Sequence, residues 1–241
     1  MRIDDAAVLI TGGSQGLGEA LAHELASRKA RVVLVARGEA LVHQTVDAIR
    51  RAGGEAHAIV ADVGRKEDAH RIAGIAAALV GPIDLLVHNA STLGPVPLRL
   101  LLDTECEDLA DVLEVNLVGP FRVSRAVIGS MLLRERGVVV QVSSDAATNA
   151  YPRWGAYGVS KAASDHLVRT WAAELLGTGV RVFSVDPGEM DTAMHAAALP
   201  EADRASLAQP REVARRLADF LARSQDVVSG SRLDLSHEVG S

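Results

Sequence analysis

The 241-residue sequence has little that would suit a secreted, membrane-bound or nucleic-acid-binding protein. It contains one cysteine, Cys106, so an intrachain disulfide is excluded and a reducing compartment is favoured. No apolar run approaches the roughly 18 residues that cross a membrane, and the first residues lack the basic start of a signal peptide. The net charge is −6 without a basic run, which disfavours nucleic acid and anionic membranes as partners. We therefore expect a soluble cytoplasmic protein.

Aromatic residues are scarce as well, at 3%, whereas hydrophobic residues make up 48% of the chain. Alanine, valine and leucine dominate, and such residues suit close packing of helices on a sheet. The length is ordinary for one α/β domain, and no linker or repeat interrupts it, so a single domain over residues 1–241 is expected. Cys106 lies between acidic neighbours that would oppose a thiolate, so we interpret it as a bystander.

Short apolar runs recur along the chain and are nearly continuous rather than alternating. This pattern is typical of strands that are covered on both faces, as in a parallel sheet. The runs cover residues 6–11, 31–36, 56–61, 83–88, 137–143 and 180–185, with a weaker final run at 230–235.

Helical patterns separate these runs, including long ones at 105–134 and 155–177, the first with a kink expected at Pro120. Strand and helix alternate throughout. The sequence therefore predicts a doubly wound, mostly parallel sheet of about seven strands, with helices on both faces and right-handed crossovers.

A glycine-rich stretch, TGGSQGLG at 11–18, follows the first strand and precedes a helix. Gly12, Gly16 and Gly18 would allow a sharp turn and a close approach of the backbone to a ligand. The helix that follows would offer free N–H groups to a phosphate. An ordinary βα turn could look the same, but at the first strand of a doubly wound sheet the pattern predicts a dinucleotide site.

The second strand ends at Ala36 and Arg37, where an NAD site usually has an acidic residue. An arginine suits the 2′-phosphate of NADP instead. The alternative is a solvated charge past the end of a strand. We expect NADP(H) to be preferred, with NAD(H) possible.

Tyr157 and Lys161 are four residues apart, so on a helix their side chains share one face. The spacing alone fits both a solvated helix face and a phenol placed beside an ammonium group.

Taken together, these motifs resemble the short-chain dehydrogenase/reductase family over nearly the whole chain. The resemblance rests on TGGSQGLG, ADV at 61–63, HNAS at 88–91, EVNLVGPF at 114–121, VSSDAA at 142–147, YGVSK at 157–161 and DPGEMDT at 186–192. The resemblance implies a set of cofactor-binding residues. They are Gly12, Ser14, Gly16, Leu17, Gly18, Arg37, Asp62, Val63, Asn89, Ala90, Tyr157, Lys161, Pro187, Gly188 and Thr192.

The same resemblance implies four catalytic residues, Asn116, Ser144, Tyr157 and Lys161. Ser144 is preferred over Ser143 because the family serine usually lies thirteen residues before the tyrosine. Ser144 would bind the substrate oxygen, and Asn116 would hold a water that links Lys161 to solvent. Lys161 would bind the nicotinamide ribose and lower the pKa of Tyr157, which acts as proton donor or base. No metal is implied.

The fourth-strand motif departs from the family pattern at His88 and Ser91. We interpret His88 as a hydrogen-bonded histidine at a strand end rather than a catalytic group.

Residues 145–154 and 189–209 should flank the substrate. Their apolar members are Tyr151, Trp154, Met190 and Met194. Their acids Asp145, Glu189 and Asp191 are expected to cap turns or face solvent.

The sequence thus predicts an NADP(H)-dependent oxidoreductase that acts on a carbonyl or secondary alcohol of a small organic molecule. A non-catalytic NADP-binding sensor or scaffold is the alternative, and an enzyme that isomerises or dehydrates a bound nucleotide is a third. The family commonly pairs two helices across a two-fold axis, so a homodimer or homotetramer is expected. The two helices carry the apolar residues Val123, Val127, Leu167, Val168 and Trp171, which cannot all face one sheet.

Overall fold

The computed structural model describes residues 1–236 and contains one seven-stranded sheet. All neighbouring strands run parallel, in the order β3-β2-β1-β4-β5-β6-β7. The predicted doubly wound fold is confirmed, and the weak final run forms the edge strand. The strands are β1 Ala7–Thr11, β2 Arg31–Ala36, β3 Glu55–Val60, β4 Leu85–His88, β5 Gly137–Val142, β6 Val180–Asp186 and β7 Arg232–Asp234.

Helices cover both faces of the sheet because each buries one apolar stripe. The apolar side chains of α1, α2 and α8 pack in the core on one face of the sheet. Those of α3, α5 and α6 pack in the core on the opposite face. The helices are α1 Gly16–Ser27, α2 Glu39–Arg51, α3 Asp68–Val80, α4 Cys106–Leu113, α5 Gly119–Leu133, α6 Gly155–Glu174, α7 Ala193–Ala198 and α8 Pro210–Arg223.

The long helix expected at 105–134 is divided just before Pro120, where we expected a kink. A π-helical turn at Glu114–Val118 separates α4 from α5. Pro120 is the second residue of α5 and directly follows this turn, so it has no N–H to donate to a carbonyl group of the turn. The carbonyl oxygen of Asn116 accepts a hydrogen bond from Ser164 Oγ at 3.0 Å instead. The π turn and Pro120 together therefore mark the change in helix geometry.

Few of the apolar side chains named for α5 and α6 are left outside the core. Val123, Val127 and Val168 are buried in the core beneath these helices. They therefore pack into the core and are unavailable to a partner subunit. Leu167 and Trp171 are only half-buried, so the predicted interface would depend on them.

The sheet changes its winding direction between β1 and β4. β2 and β3 follow on one side of β1, whereas β4 to β7 extend on the other. Loops leaving the carboxyl ends of β1 and β4 must diverge there, which opens a crevice at this edge. The glycine-rich loop leaves the carboxyl end of β1 at this point.

Candidate functional site

A pocket of about 640 Å³ lies at the carboxyl edge of the sheet. It extends from Arg37 after β2, past the glycine-rich loop, to Tyr157 and Trp154 on the far side. Every predicted site residue lines it except Gly18 and Asn116. Those lining it are Gly12, Ser14, Gly16, Leu17, Arg37, Asp62, Val63, Asn89, Ala90, Ser144, Tyr157, Lys161, Pro187, Gly188 and Thr192.

The glycine-rich loop depends on backbone conformations that favour glycine. Gly12 and Gly16 have φ values of +70° and +59°, in the left-handed region. A Cβ atom on Gly18 would lie 2.2 Å from the carbonyl oxygen of Gly12. Gly18 therefore allows α1 to approach the loop, although it does not line the pocket.

Asn89 and Thr11 hold this loop against the end of β4. The Asn89 side chain donates from Nδ2 to the carbonyl oxygen of Gly12 at 2.8 Å. Thr11 Oγ1 accepts hydrogen bonds from the backbone N–H groups of Asn89 and Ala90, each at 3.2 Å. The β1 and β4 loops are thus connected directly where the crevice begins.

The end of the pocket beside β2 has an exposed cation near an acid. Arg37 is 73% exposed, and its Nη1 lies 3.9 Å from Asp62 Oδ2. Asp62 Oδ1 accepts a hydrogen bond from the backbone of Gly64 at 3.0 Å, which fixes the carboxylate. The guanidinium is therefore loosely held and has donors available to an anion.

These features fit a dinucleotide. The glycine-rich loop lets a ligand approach the backbone, and the N-cap residue of α1, Gln15, makes no side-chain hydrogen bond to the first turn. The N–H groups of that turn and the positive end of the helix dipole are thus directed at the pocket. The chain would hold the pyrophosphate here, the adenosine half by Arg37 and Asp62, and the nicotinamide half by Tyr157 and Lys161.

Ser144 and its neighbours form a polar cluster at the other end. Ser144 Oγ donates to Asp145 Oδ1 at 3.0 Å and accepts from the backbone of Ala146 at 3.2 Å. The Tyr151 hydroxyl donates to Asp145 Oδ2 at 2.7 Å. One carboxylate therefore orients two hydroxyl groups beside Tyr157.

Tyr157 has a pKa that differs from our expectation. Its side chain is 8% exposed, and burial raises its pKa to about 12. Hydrogen bonds with Ser144 and Ser91 act in the opposite direction, whereas the charges of Asp186 and Asp145 raise the value further. We expected Lys161 to lower this pKa, but desolvation dominates, so the phenol is neutral near pH 7.

Lys161 is almost completely enclosed, at 2% exposure. Its Nζ donates to the carbonyl oxygen of Val142 at 2.9 Å and lies 5.4 Å from the ring centroid of Tyr157. Burial lowers its pKa to about 8, against the attraction of Asp165 and Asp186. It therefore carries most of its charge at pH 7 and loses it near pH 8.

Asn116 lies behind the pocket, in the π turn. Its side chain accepts from the Thr92 N–H at 2.8 Å and donates to the Thr92 carbonyl and to Ser160 Oγ, both at 2.9 Å. Its Oδ1 also accepts from Ser91 Oγ at 3.1 Å. The side chain thus positions the segment beside Tyr157, and its role in holding a water stays a prediction.

His88 is a buried, hydrogen-bonded histidine, as we interpreted it. Its Nε2 lies 2.8 Å from Ser124 Oγ, and the side chain does not line the pocket. Burial lowers its pKa to about 3, so the ring is neutral at physiological pH.

The substrate end is largely apolar and has acids at its mouth. Tyr151, Trp154, Met190 and Met194 all line it, as expected. Asp145 and Glu189 are exposed, as expected, and they also line the pocket. Asp191 instead forms a 2.6 Å ion pair with Arg204.

Asp186, His195 and Arg232 are among the residues at the site whose positions the sequence did not predict. Asp186 and His195 line the pocket, and Arg232 contacts Asp186 and the carbonyl oxygen of Ser144. Asp186 directly precedes the Pro-Gly turn and could have been noticed there. Arg232 gave no signal, because its partners are 46 to 88 positions away in the sequence.

Within residues 1–236, no helix is both long and apolar enough to span a membrane. The same residues contain no group of three or more His, Cys, Asp or Glu side chains placed to hold a metal ion.

Comparisons with known proteins agree with this geometry. The family model for short chain dehydrogenases matches residues 6–203. A short chain dehydrogenase from Pseudocercospora fijiensis is 40% identical over 193 residues, covering 78% of this chain and 60% of its own length. Solved structures of a 7 alpha-hydroxysteroid dehydrogenase with NADH and of an actinorhodin polyketide ketoreductase variant with NADPH are also similar. The steroid dehydrogenase is 30% identical with a TM-score of 0.89, and the match covers 100% of this chain and 95% of the other. The ketoreductase variant is 28% identical with a TM-score of 0.87, and the match covers 95% of each chain.

The fold and the matched family are thus those of an oxidoreductase. The chain belongs to the short chain dehydrogenase family, whose matched model covers most of its length.

Proposed function

We propose that this protein transfers a hydride between NADP(H) and the carbonyl or secondary alcohol group of a small, largely apolar molecule, in the cytoplasm. The observation that carries the proposal is the position of Ser144, Tyr157 and Lys161. All three line one end of the pocket whose other part is bounded by the glycine-rich loop.

In the reducing direction, a bound nicotinamide supplies the hydride to the carbonyl carbon. The electrons of the C=O bond move to oxygen, and the Tyr157 hydroxyl gives its proton to that oxygen. A phenol with a pKa of about 12 is fully protonated near pH 7 and suits the role of donor. The product is an alcohol, and Tyr157 is reprotonated from solvent.

Ser144 and Lys161 would manage the charge that develops. Ser144 Oγ can donate to the substrate oxygen if it leaves Asp145 Oδ1, its present acceptor at 3.0 Å. The Lys161 ammonium favours the phenolate that remains after proton transfer. Its charge is effective because burial excludes water from the pair.

The preference for NADP(H) rests on Arg37. Its guanidinium is exposed at the pocket and lies 3.9 Å from Asp62, too far for a strong ion pair. A 2′-phosphate could accept bidentate, charge-assisted hydrogen bonds there. Similar structures hold NADH in one case and NADPH in another, so the preference has to be measured on this chain.

The test is a screen of NADPH oxidation against ketones, aldehydes and quinones, repeated with NADH. We expect turnover of at least one apolar carbonyl compound, and none by a Tyr157→Phe variant at equal concentration. Tight NADPH binding without turnover of any compound would favour the sensor or scaffold instead. Failure to bind either nucleotide would contradict both functions.

A further inference from the structure

Arg232 connects three elements that end at the site. From β7, its Nε donates to Asp165 Oδ2 on α6 at 3.0 Å. Its Nη2 donates to Asp186 Oδ2 at the end of β6 and to the carbonyl oxygen of Ser144, each at 2.8 Å. The planar guanidinium fork suits this arrangement, because its donors have fixed directions.

Both carboxylates are largely shielded from solvent. The side chains of Asp165 and Asp186 are 5% and 9% exposed, and Arg232 is 24% exposed. A buried carboxylate is costly unless it is paired, so these contacts differ from ordinary surface ion pairs. Asp186 is also fixed at its second oxygen, where Oδ1 accepts from the Gly188 N–H at 3.0 Å.

Each partner is adjacent to a residue of the proposed mechanism. Ser144 is held through its own carbonyl, and Asp186 immediately precedes Pro187 and the glycine of the cofactor turn. Asp165 lies one helical turn after Lys161, on the same face of α6. A displacement of Arg232 would therefore be felt by the serine, the lysine and the Pro-Gly turn together.

The same carboxylates serve the buried ammonium of Lys161. The ring of Tyr157 lies beside it on α6, and the charges of Asp165 on α6 and Asp186 from β6 act on it. Arg232 from β7 pairs with both carboxylates, and Asp145, after β5, acts on Tyr157. The two carboxylates thus balance two cations, Lys161 and Arg232.

We propose that Arg232, Asp165 and Asp186, together called the Arg232 bridge, form a positioning group for the active site. The bridge fixes the main chain of Ser144 and balances the charge of Lys161. None of the three is a catalytic residue, since their action passes through Ser144 and Lys161. The kinetic part of this inference rests on the proposed function, whereas its electrostatic part does not.

The electrostatic part can be tested without any substrate. Lys161 has a folded-state pKa of about 8, below its ordinary 10.5. Between these pH values Lys161 is protonated in the unfolded chain and neutral in the folded chain. The free energy of unfolding should therefore rise with pH from about 8 to 10.5. Asp186→Asn should start this rise at lower pH, because a carboxylate that favours the ammonium is lost. Arg232→Met should start it at higher pH, because a competing cation is lost.

The measurement is chemical unfolding of each variant from pH 6.5 to 10.5, with the same changes made in a Lys161→Met background. We expect shifts of opposite sign for the two substitutions, and neither shift in the Lys161→Met background. Arg232→Lys keeps the charge and should leave the onset near that of the wild type; it also serves if Arg232→Met does not fold. Shifts of one sign, or shifts that persist without Lys161, would overturn the proposed charge balance.

The positioning part uses the substrate found by the screen. A lysine offers one nitrogen and cannot reproduce the fork, so Arg232→Lys should lower kcat by about tenfold or more. The Kd for NADPH should change much less. Arg181→Met is the matched control, because Arg181 also bonds main-chain carbonyl groups, those of Gln225 and Val227, but does not contact the site. Wild-type kcat in Arg232→Lys, or an equal loss in the control, would overturn the positioning role.

The two proposals fail in different ways. If the wild type reduces no carbonyl compound, the proposed function fails, and the unfolding measurements still decide the charge balance around Lys161. If the wild type is active and the variants behave like the control, only the Arg232 bridge is rejected.

Discussion

The Lys161 ammonium lies over the ring of Tyr157, with Nζ 5.4 Å from the ring centroid. The two residues are four positions apart on α6, and both are buried. A solvated helix face is therefore excluded for this pair. Burial affects both groups: it raises the pKa of the phenol to about 12 and lowers that of the ammonium to about 8.

Tyr157→Phe should remove turnover while leaving cofactor binding nearly intact. The substitution keeps the ring against Trp154, 5.7 Å away between centroids, and removes only the hydroxyl. Loss of a general acid should cut kcat by ~10²-fold or more. The measurements are steady-state kinetics and an NADPH titration followed by fluorescence.

Tyr151→Phe is the matched control for that change. Tyr151 also loses a hydroxyl at the pocket, but its partner is Asp145. We expect a much smaller loss of kcat. If Tyr157→Phe turns over like the wild type, Tyr157 is not the proton donor.

The rate of carbonyl reduction should depend on the charge of Lys161. Its pKa of about 8 means that the ammonium is present below this pH and is lost above it, whereas Tyr157 stays protonated until about pH 12. We therefore expect kcat/KM for reduction to fall as the pH rises through about 8. Lys161→Ala should lower both turnover and NADPH affinity, because it removes this charge and the proposed ribose contact.

A pH profile of kcat/KM for the wild type and Lys161→Ala checks this assignment. The variant should be slow at every pH and should lack the fall near pH 8. A variant that retains this fall would assign the titration to another group.

Arg37→Asp should shift cofactor preference from NADPH toward NADH. The exposed guanidinium is the proposed contact of the 2′-phosphate, and an acid there would repel phosphate and accept from a ribose hydroxyl. Calorimetric titration of both nucleotides gives the ratio of Kd values before and after the change. Arg51→Asp, an equal change of charge at the exposed end of α2, should leave that ratio unaltered. Equal or tighter binding of NADH by the wild type would contradict the preference.

His88 should make the fold sensitive to acid. Its pKa is about 3 in the folded chain and ordinarily 6.5, so between these values only the unfolded state binds the proton. The free energy of unfolding should therefore decrease as the pH falls from 6.5 toward 3, by about 1.4 kcal/mol per pH unit from this group. Denaturant unfolding at several pH values measures the slope.

His88→Gln removes the titration and can still bond Ser124, so its stability should depend less on acid in this range. His43→Gln, at an exposed site on α2, is the control and should keep the wild-type slope. Equal slopes in all three proteins would assign the acid sensitivity to other groups.

We expect a homodimer or homotetramer that uses the outer sides of α5 and α6. Leu167 and Trp171 are half-buried there, and the Trp171 ring stacks on Phe121 with centroids 6.0 Å apart. Light scattering at micromolar concentration should give a mass at least twice that of the chain. Leu167→Glu should lower this mass, whereas Val228→Glu, at an exposed apolar residue elsewhere, should not. A monomeric wild type would refute the prediction.

The sequence by itself determined the sheet, its parallel strands and which strand ends face the pocket. Continuous apolar runs such as that of β5 are local signals, and they arise because both faces of the strand are buried. The glycine-rich loop and the Tyr157–Lys161 pair were also readable, since each is a short motif with fixed spacing. These motifs meet at the pocket because parallel strands bring their carboxyl ends to one edge of the sheet.

Only the tertiary structure decided the electrostatics of the site. The pKa of Tyr157 depends on how completely the phenol is desolvated, and no spacing in the sequence reports that. The Arg232 bridge joins residues of α6, β6 and β7 and bonds the Ser144 carbonyl after β5, so its contacts exist only after the sheet is complete. Asn116 in the π turn likewise bonds Thr92 and Ser160, which belong to distant segments. Local pattern predicts elements and motifs, whereas burial and long-range pairing set the charges that the chemistry uses.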